Sequence, residues 1–313
     1  MLDQRCSEIE DAVAAEDAAA IQRAIIPAWE AARDRDAAEL TAAVARLAPL
    51  TARVPPGVGG RLAVLCGAMT EGGADPQPLA GPVAAGLLTV LGLAAGFPVA
   101  WRHTTRRIPF PLPADNRVDF ANALRQLGRS DPRTGVPNPY ELTESWFCAP
   151  DWAMAATTLL ATPILRAAFP LRDELLTAAR SLAPLMAGGL DCLVQSLGTL
   201  DGEPLRVISR PAREVYEVTV GGVALNRELL LLLRTTGLAG RRDRAVLAAP
   251  SGGRLTGEGL AADLPVLAGR RTVTLARPPL GWARRPDLRR AGSLTITMGR
   301  TLPAAEAAEW LQR

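Results

Sequence analysis

Alternation of apolar and polar residues predicts a β-strand early in the last third of the chain. Tyr216, Val218 and Val220 are separated by single polar residues, so a strand would place all three on one buried face of a half-solvated antiparallel sheet. An apolar run at residues 204–209 predicts a second strand, and the short segment between the two suits a hairpin loop. The double glycine at 221–222 predicts a sharp turn.

The rest of this region continues with short periodic segments. The pattern predicts helices at 223–233 and 303–312 and further strands at 245–249, 272–275 and 293–298. We therefore expect residues 201–313 to form a small α+β region built on an antiparallel sheet, with four or five strands and two helices.

Helical spacing dominates the first 200 residues. Apolar residues recur every three or four positions from Ile9 to Leu47, and Pro27 and the charged run 33–36 predict breaks between helices. Glycine and proline clusters separate further helical segments. The predicted fold class is thus α+β, with a mainly α-helical N-terminal region at 1–200.

Residues 76–101 carry no charge and are followed by arginines, which is the outline of a membrane span. Pro78, Pro82 and Pro98 with four glycines dilute the segment, however, and favour a buried core helix. The N-terminus has mixed charge and lacks the apolar core of a secretory signal. We expect a cytoplasmic protein that does not use a membrane as a partner.

The four cysteines lie far apart and form no C-x-x-C pair, which argues against a zinc or iron–sulfur centre. They are expected to be free thiols in a reducing compartment. The glycine-rich stretches at 221–222 and 251–254 match neither a phosphate-binding loop nor a dinucleotide fingerprint. The sequence therefore predicts no metal and no cofactor.

Arginine supplies the whole basic content, because the chain has no lysine among its 35 basic residues. Residues 1–200 hold 17 arginines and 21 acidic residues, whereas residues 201–313 hold 18 arginines and 11 acidic residues, a net +7. This basic C-terminal region would attract an acidic partner or the acidic N-terminal region of the same chain.

The single histidine, His103, lies in an arginine-rich turn. One reading is an anion site in which Arg102, Arg106 and Arg107 bind phosphate or carboxylate while His103 carries a proton. The other reading, which we favour, is a solvated basic turn that follows a buried helix. Nothing in the spacing is specific for an anion.

A second cluster places a thiol among aromatic residues. Cys148 and His103 would form a nucleophilic pair if Asp151 oriented the imidazole, and Trp146 and Trp152 would line a ligand site beside them. No family signature surrounds this cysteine. A buried cysteine at an aromatic helix junction is the simpler interpretation.

The arginines between residues 284 and 290 lie near Trp282 and would suit a phosphate backbone. The acidic Asp287 lies among them, and no known nucleic-acid module surrounds them. A solvated face or a protein interface is the interpretation we favour.

The function best matched by these patterns is a non-catalytic interaction or accessory protein that acts through another protein. The alternative is an enzyme or binder of a small anionic ligand bearing phosphate or carboxylate, at the place where the turn at 101–107 meets the cluster at 146–152. A weaker alternative is nucleic-acid binding through the basic C-terminal region. The sequence leaves open whether the protein is an enzyme.

Overall fold

The computed structural model describes residues 1–104, 111–113, 117–128, 138–238, 245–276 and 294–312. The chain divides into two compact units, Met1–Leu197 (unit 1) and Gly198–Arg313 (unit 2). Unit 1 is helical and the strands lie in unit 2, so the predicted α+β class is confirmed.

The helices of unit 1 follow one another along the chain. They are α1 (Leu2–Ala14), α2 (Ala18–Ala32), α3 (Ala37–Leu47), α4 (Pro56–Glu71), α5 (Gln77–Ala94), α6 (Gly96–Thr104), α7 (Arg117–Leu127), α8 (Pro139–Leu160), α9 (Pro163–Ala167), α10 (Arg172–Leu182) and α11 (Asp191–Leu197). Short 3-10 turns at Ala48–Ala52 and Ala183–Leu185 join α3 to α4 and follow α10.

Aspartate caps lie at the starts of α2 and α3. The Asp17 carboxylate accepts a hydrogen bond of 2.9 Å from the Ala20 amide, and Asp36 accepts one of 2.9 Å from Glu39, which satisfies amides that the first turn leaves unpaired. Pro27 lies inside α2 and does not break it. The charged run at 33–36 therefore separates two helices, as predicted. The predicted break at Pro27 is wrong.

Trp152 of α8 packs against α4 and α5 where those helices carry glycine. A Cβ atom added at Gly59, Gly60 or Gly86 would lie 2.9, 2.9 and 2.3 Å from atoms of the Trp152 indole, closer than side-chain carbons approach one another. The indole N–H donates a hydrogen bond of 2.9 Å to the carbonyl of Pro56, so its one polar atom is paired. We call this arrangement the glycine socket.

Within the described residues, one segment, Gln77–Thr104, has the length and composition to cross a membrane. Half of its most apolar stretch is buried inside the protein, and a core helix passes the same test as a membrane span. Its residues Leu79, Val83, Leu87 and Leu91 recur on one buried stripe of α5. A role as a core helix is therefore compatible with this packing and stays a prediction.

The described residues of unit 2 form a six-stranded sheet with two helices. Its elements are β1 (Leu200–Ser209), β2 (Glu214–Val223), α12 (Asn226–Thr235), β3 (Val246–Ala248), β4 (Val266–Leu267), β5 (Arg270–Ala276), β6 (Thr295–Thr301) and α13 (Ala304–Gln312). The strand order is β3-β5-β1-β2-β6, and β4 pairs with β5.

The sheet is mixed, whereas the sequence predicted an antiparallel one. β1 and β2 form the expected hairpin, but β1 and β5 run parallel, with Val207 opposite Val273. A parallel pair requires a long crossover, and the chain between β1 and β5 supplies it. The antiparallel β4 has only two residues, which is too short for period-two alternation to be recognised in the sequence.

Gly221 and Gly222 lie inside β2, so the predicted turn at this position is wrong. A Cβ atom on Gly221 would lie 2.5 Å from the Thr295 hydroxyl on the neighbouring strand. Gly222 has a φ of 75°, and its amide donates to the Asp201 carboxylate at 3.1 Å. Both glycines therefore serve close strand contact and an irregular backbone within the sheet.

The two faces of the sheet are covered differently. On one face Val207, Val218 and Val220 pack with Leu229 and Leu233 of α12 in an apolar core. On the other face a smaller cluster joins the sheet to α13. That cluster contains Ile208, Val215, Leu302 and Ala307, with Trp310 and Leu311 beside it.

The glycine socket predicts an asymmetry between two glycines of α5. Replacing Gly86 with alanine should lower the free energy of unfolding by about 2 kcal/mol, because the new methyl group overlaps a buried, unmovable ring. The change would be measured by urea unfolding followed by tryptophan fluorescence. Gly92→Ala is the matched control: nothing lies within 4 Å of its added Cβ, so the alanine should raise stability by about 0.5 kcal/mol. Equal effects at the two positions would contradict the socket.

Candidate functional site

The two clusters that the sequence singled out meet in the structure through Phe97 of α6. Its ring stacks on Trp101 at a centroid distance of 5.7 Å and on Trp146 of α8 at 5.2 Å. All three rings are buried, and the Trp146 indole donates a hydrogen bond of 3.0 Å to the carbonyl of Pro111. The junction is an aromatic core between α6 and α8.

Trp146 and Trp152, the predicted ligand-contacting tryptophans, both make packing contacts in this core. Trp146 stacks on Phe97, and Trp152 fills the glycine socket. Their ring faces are therefore occupied by protein atoms. A role of either ring in ligand binding stays a prediction without support from their surroundings.

Cys148 is buried on α8 with its sulfur 3.8 Å from the carbonyl of Ser145. Burial raises the pKa of the Cys148 thiol far above its ordinary value, and the negative charges of Glu144 and Asp151 raise it further. A nucleophilic cysteine needs the opposite, a stabilised thiolate. The surroundings of Cys148 favour an inert thiol.

The imidazole of His103 lies in the exposed last turn of α6. Within the part of the chain that the structure describes, no hydrogen bond joins it to Cys148, which is buried on α8. Arg102, beside it, is exposed, and its Nε donates 3.2 Å to the carbonyl of Pro98. Arg106 and Arg107 lie outside the described residues, so the four-residue anion site stays a prediction.

Glu144 is a candidate that sequence reasoning did not single out. Its side chain, only 9% exposed, reaches from α8 to the start of α4, where Oε1 accepts a hydrogen bond of 3.1 Å from the amide of Gly57. Burial raises the pKa of the Glu144 carboxyl; the Gly57 amide opposes this and the charge of Glu141 adds to it. The available signal was a carboxylate two residues before Trp146 in an aromatic stretch.

A buried carboxyl with a raised pKa is the usual form of a general acid or base. Here the same carboxyl caps a helix that presents unpaired amides, which accounts for its position. Beside it, the Ser145 hydroxyl is buried without a hydrogen-bond partner in the described structure.

Comparisons with protein-family models, with curated proteins and with solved structures yield no match to this chain. Among the described residues, no group of three or more His, Cys, Asp or Glu side chains is placed to hold a metal ion.

A surface cleft lies between α2, α3 and α4 in unit 1. Its volume is about 140 Å³, and Leu40 and Met69 are among the buried residues that line it. Trp29, Arg33 and Arg35 line it too. The Arg33 guanidinium lies over the Trp29 ring at 5.3 Å from the ring centroid, and Trp29 is 45% exposed.

Unit 2 carries a charged cluster on the sheet face that α13 covers. Glu217 of β2 receives Arg270 at 2.8 Å, Arg300 at 3.1 Å and Arg206 at 3.3 Å. The Arg206 guanidinium also lies 4.0 Å from the ring centroid of Trp310. Burial by itself would raise the pKa of Glu217, but its arginine partners outweigh burial and hold the pKa below the ordinary value. We call this set the Glu217 cluster.

Residues 282–290, with their four arginines, lie outside the described residues. A nucleic-acid role for them stays a prediction.

The raised pKa of Glu144 predicts a stabilising substitution. A carboxyl whose pKa is raised on folding favours the folded state while protonated, and this contribution is lost as the pH rises above its unfolded value of 4.5. Glu144→Gln keeps an oxygen for the Gly57 amide without the buried charge. The variant should melt at a higher temperature than the wild type at pH 7, with the difference shrinking below pH 4.5. Glu30→Gln, on an exposed face of α2, is the control. A less stable Glu144→Gln variant at pH 7 would contradict this assignment.

The Glu217 cluster predicts the opposite change. Glu217→Gln removes the anion shared by three arginines and should cost about 3 kcal/mol of unfolding free energy at pH 7, the range for one partner of a buried ion pair. Because the pKa of Glu217 is lowered on folding, its contribution is present above pH 4.5 and lost below it, so the two proteins should converge in acid. Urea unfolding at pH 7 and pH 3 measures both effects.

Glu258→Gln is the control for that experiment. Its ion pair with Arg227 is solvent-exposed, so its loss should change stability by less than about 1 kcal/mol. Similar effects for the two substitutions would show that the Glu217 cluster behaves as a surface ion pair.

Proposed function

We propose that the protein is a non-catalytic interaction or accessory protein, and that its partner docks at the α2–α3–α4 cleft of unit 1. The observation that carries the proposal is an exposed tryptophan, Trp29, stacked with an arginine at the mouth of that cleft. Tryptophan and arginine are the residues most enriched where protein partners bind tightly.

The exposed face of α2 extends this surface. Ile26, which is 65% exposed, precedes Trp29 by three residues, and Arg33 follows by four, so all three lie on one side of the helix. Isolated apolar residues are common on protein surfaces, but an aliphatic residue, an indole and a guanidinium in one row form a continuous contact surface.

The size of the cleft favours a side chain over a metabolite. Its 140 Å³ is below the roughly 300–1,000 Å³ of pockets that enclose small-molecule ligands. Its buried apolar lining suits one aliphatic side chain of a partner. The partner we propose therefore presents an apolar anchor in a protein segment.

The charges at the cleft specify the rest of that segment. Arg35 is paired with Glu39 at 3.7 Å, whereas within the described residues no ion pair joins Arg33 to a carboxylate. A carboxylate on the partner would pair with Arg33 while the anchor enters the cleft. We propose an acidic segment with an apolar residue as the binding partner.

The aromatic core supports the non-catalytic part of the proposal. Trp146 and Trp152 are occupied by packing, and the thiol of Cys148 is held protonated by burial and two carboxylates. A small anionic ligand at Arg102 and His103 is the alternative that the experiment must distinguish.

Site-specific crosslinking tests the docking surface. A photoreactive amino acid in place of Ile26, in cells that make the protein naturally, should yield one dominant covalent adduct. Mass spectrometry should place the crosslink in an acidic segment of another protein. Adding Arg33→Glu should reduce the adduct at least tenfold, because it sets a carboxylate against the partner's carboxylates. Ile164, which is 79% exposed on α9, is the matched control and should give no such adduct.

Two outcomes would overturn the proposal. Equal adducts from Ile26 and Ile164, or an adduct insensitive to Arg33→Glu, would remove the docking surface. A phosphate- or carboxylate-bearing metabolite that raises the melting temperature, with the rise abolished by Arg102→Ala, would favour the ligand-binding alternative.

A further inference from the structure

β6 is an edge strand of the unit 2 sheet. It pairs with β2 on one side, and among the described residues no strand pairs with its other side. Its side chains are exposed along most of its length, and Met298 is 46% exposed although apolar. An edge of this kind presents backbone N–H and C=O groups that another strand can bind.

The first half of β6 alternates strictly. Ile296 lies opposite Val220 and Met298 lies opposite Val218, so both point to the apolar face of the sheet, and Leu294 packs against the same core. Thr295 and Thr297 point to the other face. Residues 294–298 therefore form an uncharged edge, apolar on one face and composed of threonine on the other.

A β-bulge ends this regular segment. Between the pairs Val218–Met298 and Tyr216–Thr301, β6 advances by three residues while β2 advances by two. The extra residue lies at Gly299–Arg300, and Arg300 points to the Glu217 cluster. Bulges and charges are the devices that block edge pairing, and here they protect only the second half of the strand.

We propose that a second copy of the chain pairs with this edge, antiparallel, around a twofold axis at Ile296. A twofold axis perpendicular to a sheet keeps each side chain on its own face of the sheet. Two residues that lie opposite each other across the axis must therefore point to the same face. The register centred on Ile296 meets this condition. It places Leu294 opposite Met298 of the second copy and Thr295 opposite Thr297.

The second copy is the occupant because the segment complements itself on both faces. Apolar residues meet apolar residues on the core face, and threonine meets threonine on the other, a favourable cross-strand pair. No charge enters the paired segment, and Arg300 falls beyond its end. A register centred on Met298 would include the bulge and would place Ile296 opposite Arg300. These two side chains point to different faces of the sheet, so they cannot pair.

The paired segment is short, so the dimer should be concentration-dependent. Five residues from each copy bury less than the roughly 1,200 Å² of a standard interface. We expect a shift from one chain of 33.0 kDa to a pair of about twice that mass over roughly 10–500 µM.

Introducing like charges on the threonine face tests the register. Thr295→Lys with Thr297→Lys places ammonium groups opposite each other across the axis, and Thr295→Glu with Thr297→Glu places carboxylates there. Each double variant of the full chain should sediment as a monomer where the wild type is a dimer. An equimolar mixture of the two should regain the dimer mass, because every lysine then faces a glutamate.

Thr301→Lys is the matched control, since it is exposed on β6 beyond the bulge and should leave the dimer intact. Unchanged melting temperatures establish that the variants fold, and restoration in the mixture itself requires folded chains. A wild-type protein that stays monomeric at about 500 µM would overturn the proposal. So would a dimer that both double variants retain, or a mixture that stays monomeric.

The dimer is independent of the docking surface proposed for unit 1. A dimer that disappears in Trp29→Ala and persists in the β6 variants would place the contact at the α2–α3–α4 cleft and refute pairing through β6. Loss of dimer in the β6 variants with an unchanged crosslink at Ile26 would support both proposals separately.

Discussion

The glycine socket is the constraint on which the α4–α5–α8 core depends. An indole has a fixed shape, and Trp152 gains its contacts only because Gly59, Gly60 and Gly86 carry no Cβ to fill the same space. Its N–H is paired with the carbonyl of Pro56, so burial of the ring leaves no polar atom unsatisfied. A smaller residue at 152 would leave a cavity lined by rigid backbone, which collapses poorly.

The position of α8 in turn fixes the rest of the α6–α8 junction. Six residues before Trp152, Trp146 stacks on Phe97 of α6. Two residues before Trp146, Glu144 accepts a hydrogen bond from the amide of Gly57. The buried carboxyl and the aromatic stack are thus consequences of one packing arrangement. This is a physical reason to treat Glu144 as a helix cap before treating it as a catalytic group.

Unit 2 depends on a different kind of interaction. Its α12 face is apolar, whereas its α13 face is organised by Glu217, which joins strands β1, β5 and β6 through arginines. Arg300 also contacts Glu306 of α13 at 3.5 Å, so the edge strand and the last helix share one charged group. Backbone pairing with β2 and the ion pairs of Arg300 hold β6, while most of its side chains remain exposed.

The sequence pattern predicted those elements that depend on residues adjacent in the chain. The strands β2, β5 and β6 follow from period-two alternation, and the break between α2 and α3 follows from the charged run at 33–36. The parallel pairing of β1 with β5 was missed because it depends on a crossover. Gly221 was read as a turn because the hydroxyl of Thr295, which excludes any side chain there, is remote in sequence.

The candidate site was harder to predict for the same reason. The sequence favoured a buried cysteine at an aromatic helix junction but left open a ligand site at Trp146 and Trp152. The residues that contact the two indoles, Phe97 and the glycines of α4 and α5, are remote in the chain, so the packing of these rings could not be predicted. Glu217 was read as a solvated position of an alternating strand. Only the fold shows that three arginines surround it.

The two proposed surfaces differ in chemistry, and this difference has a consequence for binding. The cleft of unit 1 would select a partner by shape and charge, whereas β6 of unit 2 would recognise a strand by backbone hydrogen bonds and alternation. A dimer through β6 carries two clefts, so a partner that presents two acidic segments would bind both with an effective concentration set by their spacing. Weak self-pairing would thereby raise affinity for a repeated partner without a new contact.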